Sequence, residues 1–302
     1  MHVLITGSNG FVGKHLSQNL LKLGARVSHI VRSPDEVLSD SHYLIDLSCE
    51  LKVIDALCKL KPQYVIHLAY SKDSGINFLD EYRINLEPSL NVIKACQLLN
   101  DFKKLIFLGS VEEYGLIEPP FFEQQRECPV TSYGLSKLAI TNILGTLKKS
   151  QSLPSIVLRP SVIYGPGQSN SMFIPSLINS LLIGKRFQMT AGNQLRDFVY
   201  IDDVIDAIVQ SIFIDIPTNE NIFNVGYGVS FFLQDVANLI AELISPDVVS
   251  LIDFGAANYR KNELMQYAVN ISHAEKFLGW KPKVDFEDGI RNTITFIKKS
   301  IL

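Results

Sequence analysis

Tyr133 and Lys137 stand four residues apart in Tyr-Gly-Leu-Ser-Lys, the spacing that puts two side chains on one face of a helix. A free tyrosine titrates near ~10, too high for easy proton exchange at neutral pH. A neighbouring ammonium favours the phenolate and brings it toward a useful acid–base range. Ser110 follows the apolar run Leu105–Leu108, so its hydroxyl is expected at the carboxyl end of a buried strand, placed to polarise a carbonyl or alcohol oxygen. Phenol, ammonium and hydroxyl together form a set for moving a proton to or from such an oxygen.

A hydride carrier is written into the amino terminus. Val3-Leu4-Ile5-Thr6 reads as a buried strand and breaks into Gly7-x-x-Gly10-x-x-Gly13. Phe11, Val12, His15, Leu16, Leu20 and Leu23 then recur at helical spacing. Glycine is needed where the backbone turns tightly and where a phosphate approaches without a Cβ in the way. The helix that follows points free N–H groups and its positive dipole end at a pyrophosphate. With a second strand at Arg26–Val31, the stretch reads as a dinucleotide site.

The carboxylate expected at the end of that second strand would bond a ribose 2′-hydroxyl and repel a 2′-phosphate. Val31-Arg32-Ser33 occupies the place instead, with Asp35 and Glu36 only after Pro34. A guanidinium and a hydroxyl suit a 2′-phosphate, so NADP is expected over NAD.

The elements that must hold these residues alternate. Strand signals at Val27–Val31, His42–Leu47, Tyr64–Ala69, Leu105–Leu108 and Ile156–Arg159 are separated by helical patterns. These include Leu51–Leu60, residues 78–99 with Pro88 as a kink or break, and Thr131–Lys149. Such alternation calls for a doubly wound α/β fold with a parallel Rossmann sheet. Residues 1–160 are expected to form the dinucleotide-binding domain, rejoined by a strand and helix near 195–215. Residues 161–302 would then make up mainly a smaller mixed substrate lobe, with Phe223–Val225, a helix near Leu233–Leu243, Val248–Ile252 and the last helix Phe286–Lys298. Ligands are expected in the crevice between the two.

Composition removes other classes. The 302 residues are 47% hydrophobic and 20% charged, and the formal charge of −3 gives no basic footprint for nucleic acid. The four cysteines, Cys49, Cys58, Cys96 and Cys128, make no CxxC pair or zinc spacing and are expected to be reduced and mostly buried, as in a cytoplasmic protein. No leader pattern precedes the first strand, no apolar run reaches the ~20 residues of a membrane span, and no metal set is evident. His67 reads as a packed strand-end histidine and Trp280 as an anchor for the final segment.

With these motifs in hand the chain resembles the extended short-chain dehydrogenase/reductases, in the NAD-dependent nucleotide-sugar epimerase/dehydratase branch. The matching stretches are the glycine loop Thr6–Gly13, His67-Leu68-Ala69, Asn85, Ser110-x-x-x-Tyr114-Gly115, Tyr133-x-x-x-Lys137, Arg159-Pro160, Tyr164-Gly165-Pro166-Gly167, Arg196–Asp203 and Gly279-Trp280-Lys281-Pro282. The resemblance implies that Ser110, Tyr133 and Lys137 are catalytic. It places Gly7, Asn9, Gly10, Phe11, Val12, Gly13, Asp46, Leu47, Leu68 and Ala69 around the cofactor, beside Arg32 and Ser33. It also implies that Arg196 and Arg260 hold the diphosphate of a sugar nucleotide, and a homodimer formed through two helices of the sheet domain is common in such proteins.

Departures narrow the reaction. Relatives that remove water from a hexose usually carry Thr-Asp-Glu where this chain has Ser110-Val111-Glu112, and Val111 cannot donate a proton. Glu112 matches one acidic position and is a candidate substrate contact. Val162 replaces an asparagine common two places before Tyr164. The run Gly109–Gly115 is similar to that of GDP-4-keto-6-deoxymannose reductases, and the segment from Phe254 to Pro282 to reductases of the CDP-abequose synthase type. The expected activity is therefore NADPH-dependent reduction of the C4 carbonyl of a nucleoside-diphosphate 4-keto-6-deoxy (or 3,6-dideoxy) hexose, with Phe173 a candidate to stack on the base. A 4-epimerase or 4,6-dehydratase recycling bound NAD is the alternative reading, and a non-catalytic NADP sensor a more distant one.

Overall fold

The computed structural model describes residues 1–71, 77–217, 220–259 and 263–301. Strands β1 (His2–Thr6), β2 (Arg26–Val31), β3 (His42–Leu44), β4 (Tyr64–His67), β5 (Lys104–Leu108) and β6 (Ser155–Pro160) are linked by helices α1 (Phe11–Lys22), α2 (Glu50–Leu60), α3 (Phe78–Gln97) and α4 (Ser132–Gln151). The later strands are β7 (Val162–Tyr164), β8 (Phe187–Gln188), β9 (Leu195–Tyr200), β10 (Ile222–Val225), β11 (Ser230–Phe232), β12 (Ile252–Asp253) and β13 (Gln266–Tyr267). Among them lie α5 (Phe173–Leu182), α6 (Ile201–Phe213) and α7 (Leu233–Ile244), with α8 (Ser272–Leu278) and α9 (Phe286–Ile301) at the carboxyl end.

One parallel sheet carries the order β10-β6-β5-β4-β1-β2-β3. Its strands are apolar nearly throughout because both faces are covered. Val3 and Ile5 join the cluster built with Leu16, Leu20, Val204 and Ile208 of α1 and α6, whereas Leu4 faces Val53, Leu57 and Val92 of α2 and α3. That alternation is the two-residue period of a strand. The chain moves outward from β1 to β3, returns to β4 and continues the other way, so β1 and β4 flank the switch point where a crevice opens at the carboxyl ends.

The smaller half differs from expectation in three places. β9 pairs with β7, β11 and β13 rather than with the parallel sheet, while α6 covers that sheet. The strand that does join it is β10, residue Asn224 lying opposite Arg159. Residues Pro246–Leu251 form a 3-10 helix, with only Ile252–Asp253 extended. In the first half, α3 runs through Pro88 unbroken. The proline removes one ladder donor, and neighbouring side chains bond the backbone there, Ser89 Oγ donating to Asn85 O at 2.8 Å.

Trp280 is fully buried and donates Nε1–H to Asp203 O at 3.0 Å, which ties the final segment to α6 as expected. Cys96 is buried and Cys49 half-buried, but Cys58 and Cys128 are exposed, so the thiols are less enclosed than composition suggests. Among the described residues no helix is long and apolar enough to cross a membrane, and no cluster could hold a metal ion.

Candidate active site

The glycine loop leaves β1 at Thr6 and turns at Gly7, whose φ of +70° suits glycine. A Cβ there would also lie 2.6 Å from Ala69 N, so the loops after β1 and β4 close on each other. At Gly13 a Cβ would come within 2.4 Å of Gly7 O, which fixes how closely α1 approaches the strand. Gly10 is different: an added Cβ there meets only Gly7 O, at 3.3 Å. It is exposed and caps α1 without a side-chain bond, and the first turn holds no acid. The opening amides of α1 are thus left to a ligand anion. The neighbouring Ser8 hydroxyl is buried with no hydrogen-bond partner among the described residues. This cradle fits a pyrophosphate.

Around it, Asn9 Nδ2 donates to Glu36 O at 3.3 Å, and Phe11, Val12 and Leu68 are partly buried against the core. Ala69 N donates to Thr6 Oγ1 at 3.2 Å. Asp46 is exposed, and the Ser48 amide and hydroxyl hold its carboxyl below the usual range. Leu47 packs on the α2–α3 side. Arg32 is exposed and Ser33 half-buried, but their amides donate to Glu36 Oε2 at 2.9 and 3.4 Å. The acid that the sequence places beyond Pro34 thus returns to the end of β2.

His67 lies beneath the loop, its Nδ1 2.7 Å from Thr6 Oγ1 and its Nε2 2.9 Å from Ser89 Oγ. Burial pushes its pKa down to about 3. Both nitrogens are engaged, as suits a packed histidine and not a general base.

Ser110 and Tyr133 meet across the crevice. Ser110 Oγ accepts from Glu112 N at 3.1 Å, and the phenol of Tyr133 is hydrogen bonded to Ser110. Thr131 caps α4, its Oγ1 accepting from Gly134 N at 2.9 Å, and this sets where Tyr133 leaves the helix. One turn on, Lys137 donates to Leu108 O and lies 3.9 Å from the ring centre of Tyr70 and 4.7 Å from that of Phe107. Burial pulls its pKa down to about 7, partly opposed by Glu113.

The phenolate-favouring shift expected from Lys137 is not what results. Burial, followed by the charge of Glu112, pushes Tyr133 above the ordinary tyrosine range, while the bond to Ser110 works the other way. Tyr133 is therefore a phenol at neutral pH, a donor.

The sugar-side residues are mixed. Glu112 accepts from Thr131 Oγ1 at 3.1 Å and is near enough to Arg196 for their charges to interact, so both face the crevice. Arg196 is not free: Nη2 pairs with Glu263 Oε1 at 2.6 Å and the guanidinium lies 4.6 Å over Tyr267. Phe173 opens α5, half-buried, with its ring edge-to-face on Phe187 at 6.2 Å. Arg260 lies outside the described residues.

Sequence reasoning missed Tyr70, Glu263 and Glu113. Tyr70 stands outside the quoted motifs, and Glu263 lies within the quoted segment Phe254–Pro282 but without an assigned role. Glu113 does stand in a quoted motif, beside the more obvious Glu112.

A profile of the NAD dependent epimerase/dehydratase family matches residues 3–226. The chain belongs to that family. It is 28% identical to CDP-abequose synthase of Salmonella typhimurium over 97% of either chain, and 25% identical to dTDP-glucose 4,6-dehydratase of Haemophilus influenzae over 97% of either. Among solved structures, UDP-glucose 4-epimerase of Thermus thermophilus in complex with NAD superposes with a TM-score of 0.86 at 26% identity over 99% of each chain. The Thermotoga maritima UDP-glucose 4-epimerase with UDP-glucose shares the fold, with a TM-score of 0.90 at 24% identity over 100% of each chain. The epimerase/dehydratase family fold thus extends over the whole chain, including the last quarter beyond the profile, and places it among enzymes that modify nucleotide sugars.

Proposed function

We propose that this protein reduces the C4 carbonyl of a nucleoside-diphosphate 4-keto-6-deoxy (or 3,6-dideoxy) hexose, using NADPH. The observation that carries the reading is the hydrogen bond between Tyr133, kept as a phenol, and Ser110. A ketone reduced by hydride needs one proton on its oxygen, and a protonated, half-buried phenol beside a hydroxyl donor supplies it. Val111, where dehydratases of this family usually carry an acid, is buried with Tyr114, Phe121 and Val269 and can donate nothing. The similarity to a CDP-abequose synthase supports the same reaction class.

When bound, the nicotinamide supplies the hydride. Ser110 orients the C4 oxygen and Tyr133 gives it a proton, so the carbonyl becomes an alcohol and a phenolate is left to be reprotonated. Lys137, which bonds the Leu108 carbonyl and lies against aromatic faces, is placed to take the cofactor ribose. Arg196, once released by Glu263, would bind the diphosphate, so that binding energy remote from C4 orients the reacting carbon. Exposed Leu79, Ile84 and Leu90 of α3 and Leu135 of α4 support a homodimer through these helices, which sedimentation tests.

An NAD-dependent 4-epimerase is the second reading. It is favoured by the NAD complex of the Thermus relative and by the Glu36 carboxylate at the end of β2. A panel of 4-keto-6-deoxy sugar nucleotides and of ordinary 4-hydroxy sugar nucleotides, followed by NADPH absorbance and product NMR, decides. Stoichiometric loss of NADPH supports the reductase, and sugar conversion without it supports the epimerase.

A further inference from the structure

Glu112 and Glu113 are adjacent, yet only one is at the surface. Glu112 is half-buried at the crevice, while Glu113 is fully buried. A buried carboxylate without partners is strongly disfavoured, so its bonds account for its being there. Glu113 Oε1 accepts from Ser110 N at 2.9 Å. Its Oε2 accepts from Thr141 Oγ1 and from Arg159 Nε, each at 2.8 Å. Arg159 is also fully buried and reaches Glu127 Oε1 at 2.7 Å through Nη2.

These partners sit on three different elements. Ser110 begins the 3-10 turn Val111–Glu113 after β5, Arg159 belongs to β6, and Thr141 lies on α4 one turn beyond Lys137. The bond from Ser110 N to the Glu113 carboxylate and that from Glu113 N to Ser110 Oγ are the two halves of a capping box, and Glu112 N also donates to Ser110 Oγ. In an ordinary box the acid faces solvent. Here the same carboxylate continues into the protein and grips the helix that carries Tyr133 and Lys137. The hydroxyl and the phenol that must share one substrate oxygen are therefore referenced to a single buried group.

We propose that Glu113 is a positioning residue, which locks Ser110 in register with the helix bearing Tyr133 and Lys137 through its buried bonds to the Ser110 amide, Thr141 and Arg159. It touches no substrate and acts through Ser110. The inference deepens the reading of this site and relies on the proposed reaction only for its turnover assay. Displacing a reacting group by about 1 Å costs roughly 10²-fold in rate, so the effect falls on kcat. Substrate affinity, set by Arg196 and the remote contacts, is spared.

The test is a cycle of Glu113→Gln, Ser110→Ala and the double variant, with kcat and KM for the nucleotide sugar that the wild type converts. Glu113→Gln is expected to lower kcat by ~10²-fold with KM within ~3-fold. In the Ser110→Ala background it should cost less than ~3-fold more, because the residue it positions is gone. Losses that multiply in full, or an unchanged kcat, overturn the proposal. If an uncompensated Arg159 prevents folding, Thr141→Val serves, since it leaves the ion pair. It should lower kcat by ~10-fold, with Thr141→Ser restoring it; wild-type kcat in Thr141→Val overturns the tie to the helix. Hydrogen exchange without substrate separates this from the reaction itself. The Ser110 amide should exchange faster in Glu113→Gln while the centre of α4 stays protected, and unchanged exchange refutes positioning. A wild type that reduces no keto-sugar, with exchange as expected, counts against the ketoreductase alone.

Discussion

The ammonium of Lys137 lies 3.9 Å over the centre of the Tyr70 ring, and the edge of Tyr70 meets Tyr133 with ring centres 5.1 Å apart. An ammonium enclosed by aromatic faces gains some cation–π attraction but loses its water. Burial wins, and the pKa falls to about 7. The unfolded lysine keeps its ordinary value near ~10.4. Between those values the unfolded chain holds a proton that the folded chain does not. Stability from this group is therefore present at high pH and lost as pH falls from about 10 to about 7. Replacing Lys137 with Met should remove that slope and raise the melting temperature at pH 7 by roughly 2–6 °C, while turnover falls. Melting curves of both proteins from pH 7 to 10 check it; parallel curves refute it.

Tyr133 makes the complementary case. Burial and the Glu112 charge keep it protonated well beyond neutral pH, so its role is to donate. Tyr133→Phe keeps the ring against Tyr70 and removes only the hydroxyl. It should lower kcat by about 10²–10⁴-fold and leave NADPH binding, read by cofactor fluorescence, within ~3-fold. Turnover near wild type would end the acid–base role.

Cofactor choice turns on Glu36. Its carboxylate accepts the amides of Arg32 and Ser33, so a 2′-phosphate at the end of β2 meets a negative charge as well as the Arg32 side chain. Removing the charge while keeping an acceptor, in Glu36→Gln, should lower KM for NADPH by ~3–10-fold, since a like charge a few ångströms away costs on the order of 1 kcal/mol even at the dielectric of bulk water. Arg32→Asp should raise it by at least ~10-fold and improve use of NADH. An unchanged NADPH/NADH ratio in both variants would show that preference is set elsewhere.

What the sequence made legible follows from the range of the contacts involved. The glycine loop, the strand–helix alternation and the spacing of Tyr133 and Lys137 on one helix are local patterns, each contained within a few turns of chain, and their placement emerged as read, though the phenolate-favouring effect of Lys137 did not. The end of β2 was half legible: Arg32 was visible, but the return of Glu36 through a 3-10 turn at Pro34–Glu36 depends on backbone geometry that spacing does not encode. The half beyond Pro160 was read least well because its strands are two to six residues long and pair across large separations, as β7 does with β9 and β8 with β12. Short apolar runs such as Phe223–Val225 look alike in either sheet; only the pairing of β10 with β6 separates them. Glu113 was hidden because its three partners come from three elements, which no local window brings together.

The pair Arg196–Glu263 sets the last expectation. Arg196 is held between Glu263 Oε1, at 2.6 Å, and the face of Tyr267, with side-chain exposures of 9% and 18% for the two charged partners. A largely desolvated guanidinium needs an anion beside it. In the absence of substrate that anion is the glutamate, and a diphosphate would offer two bidentate faces in its place. The carboxylate and the sugar nucleotide then compete for one fork. Arg196→Ala should raise KM for the nucleotide sugar by about 10–10²-fold with a smaller change in kcat, because it removes binding distant from the reacting carbon. Glu263→Gln keeps the packing on Arg196 but weakens its hold, so KM should fall by ~2–5-fold, most clearly at low ionic strength where charge competition is least screened. Steady-state kinetics at two salt concentrations measures both. A rise in KM in Glu263→Gln would mean that the glutamate orients Arg196 for the substrate rather than withholding it.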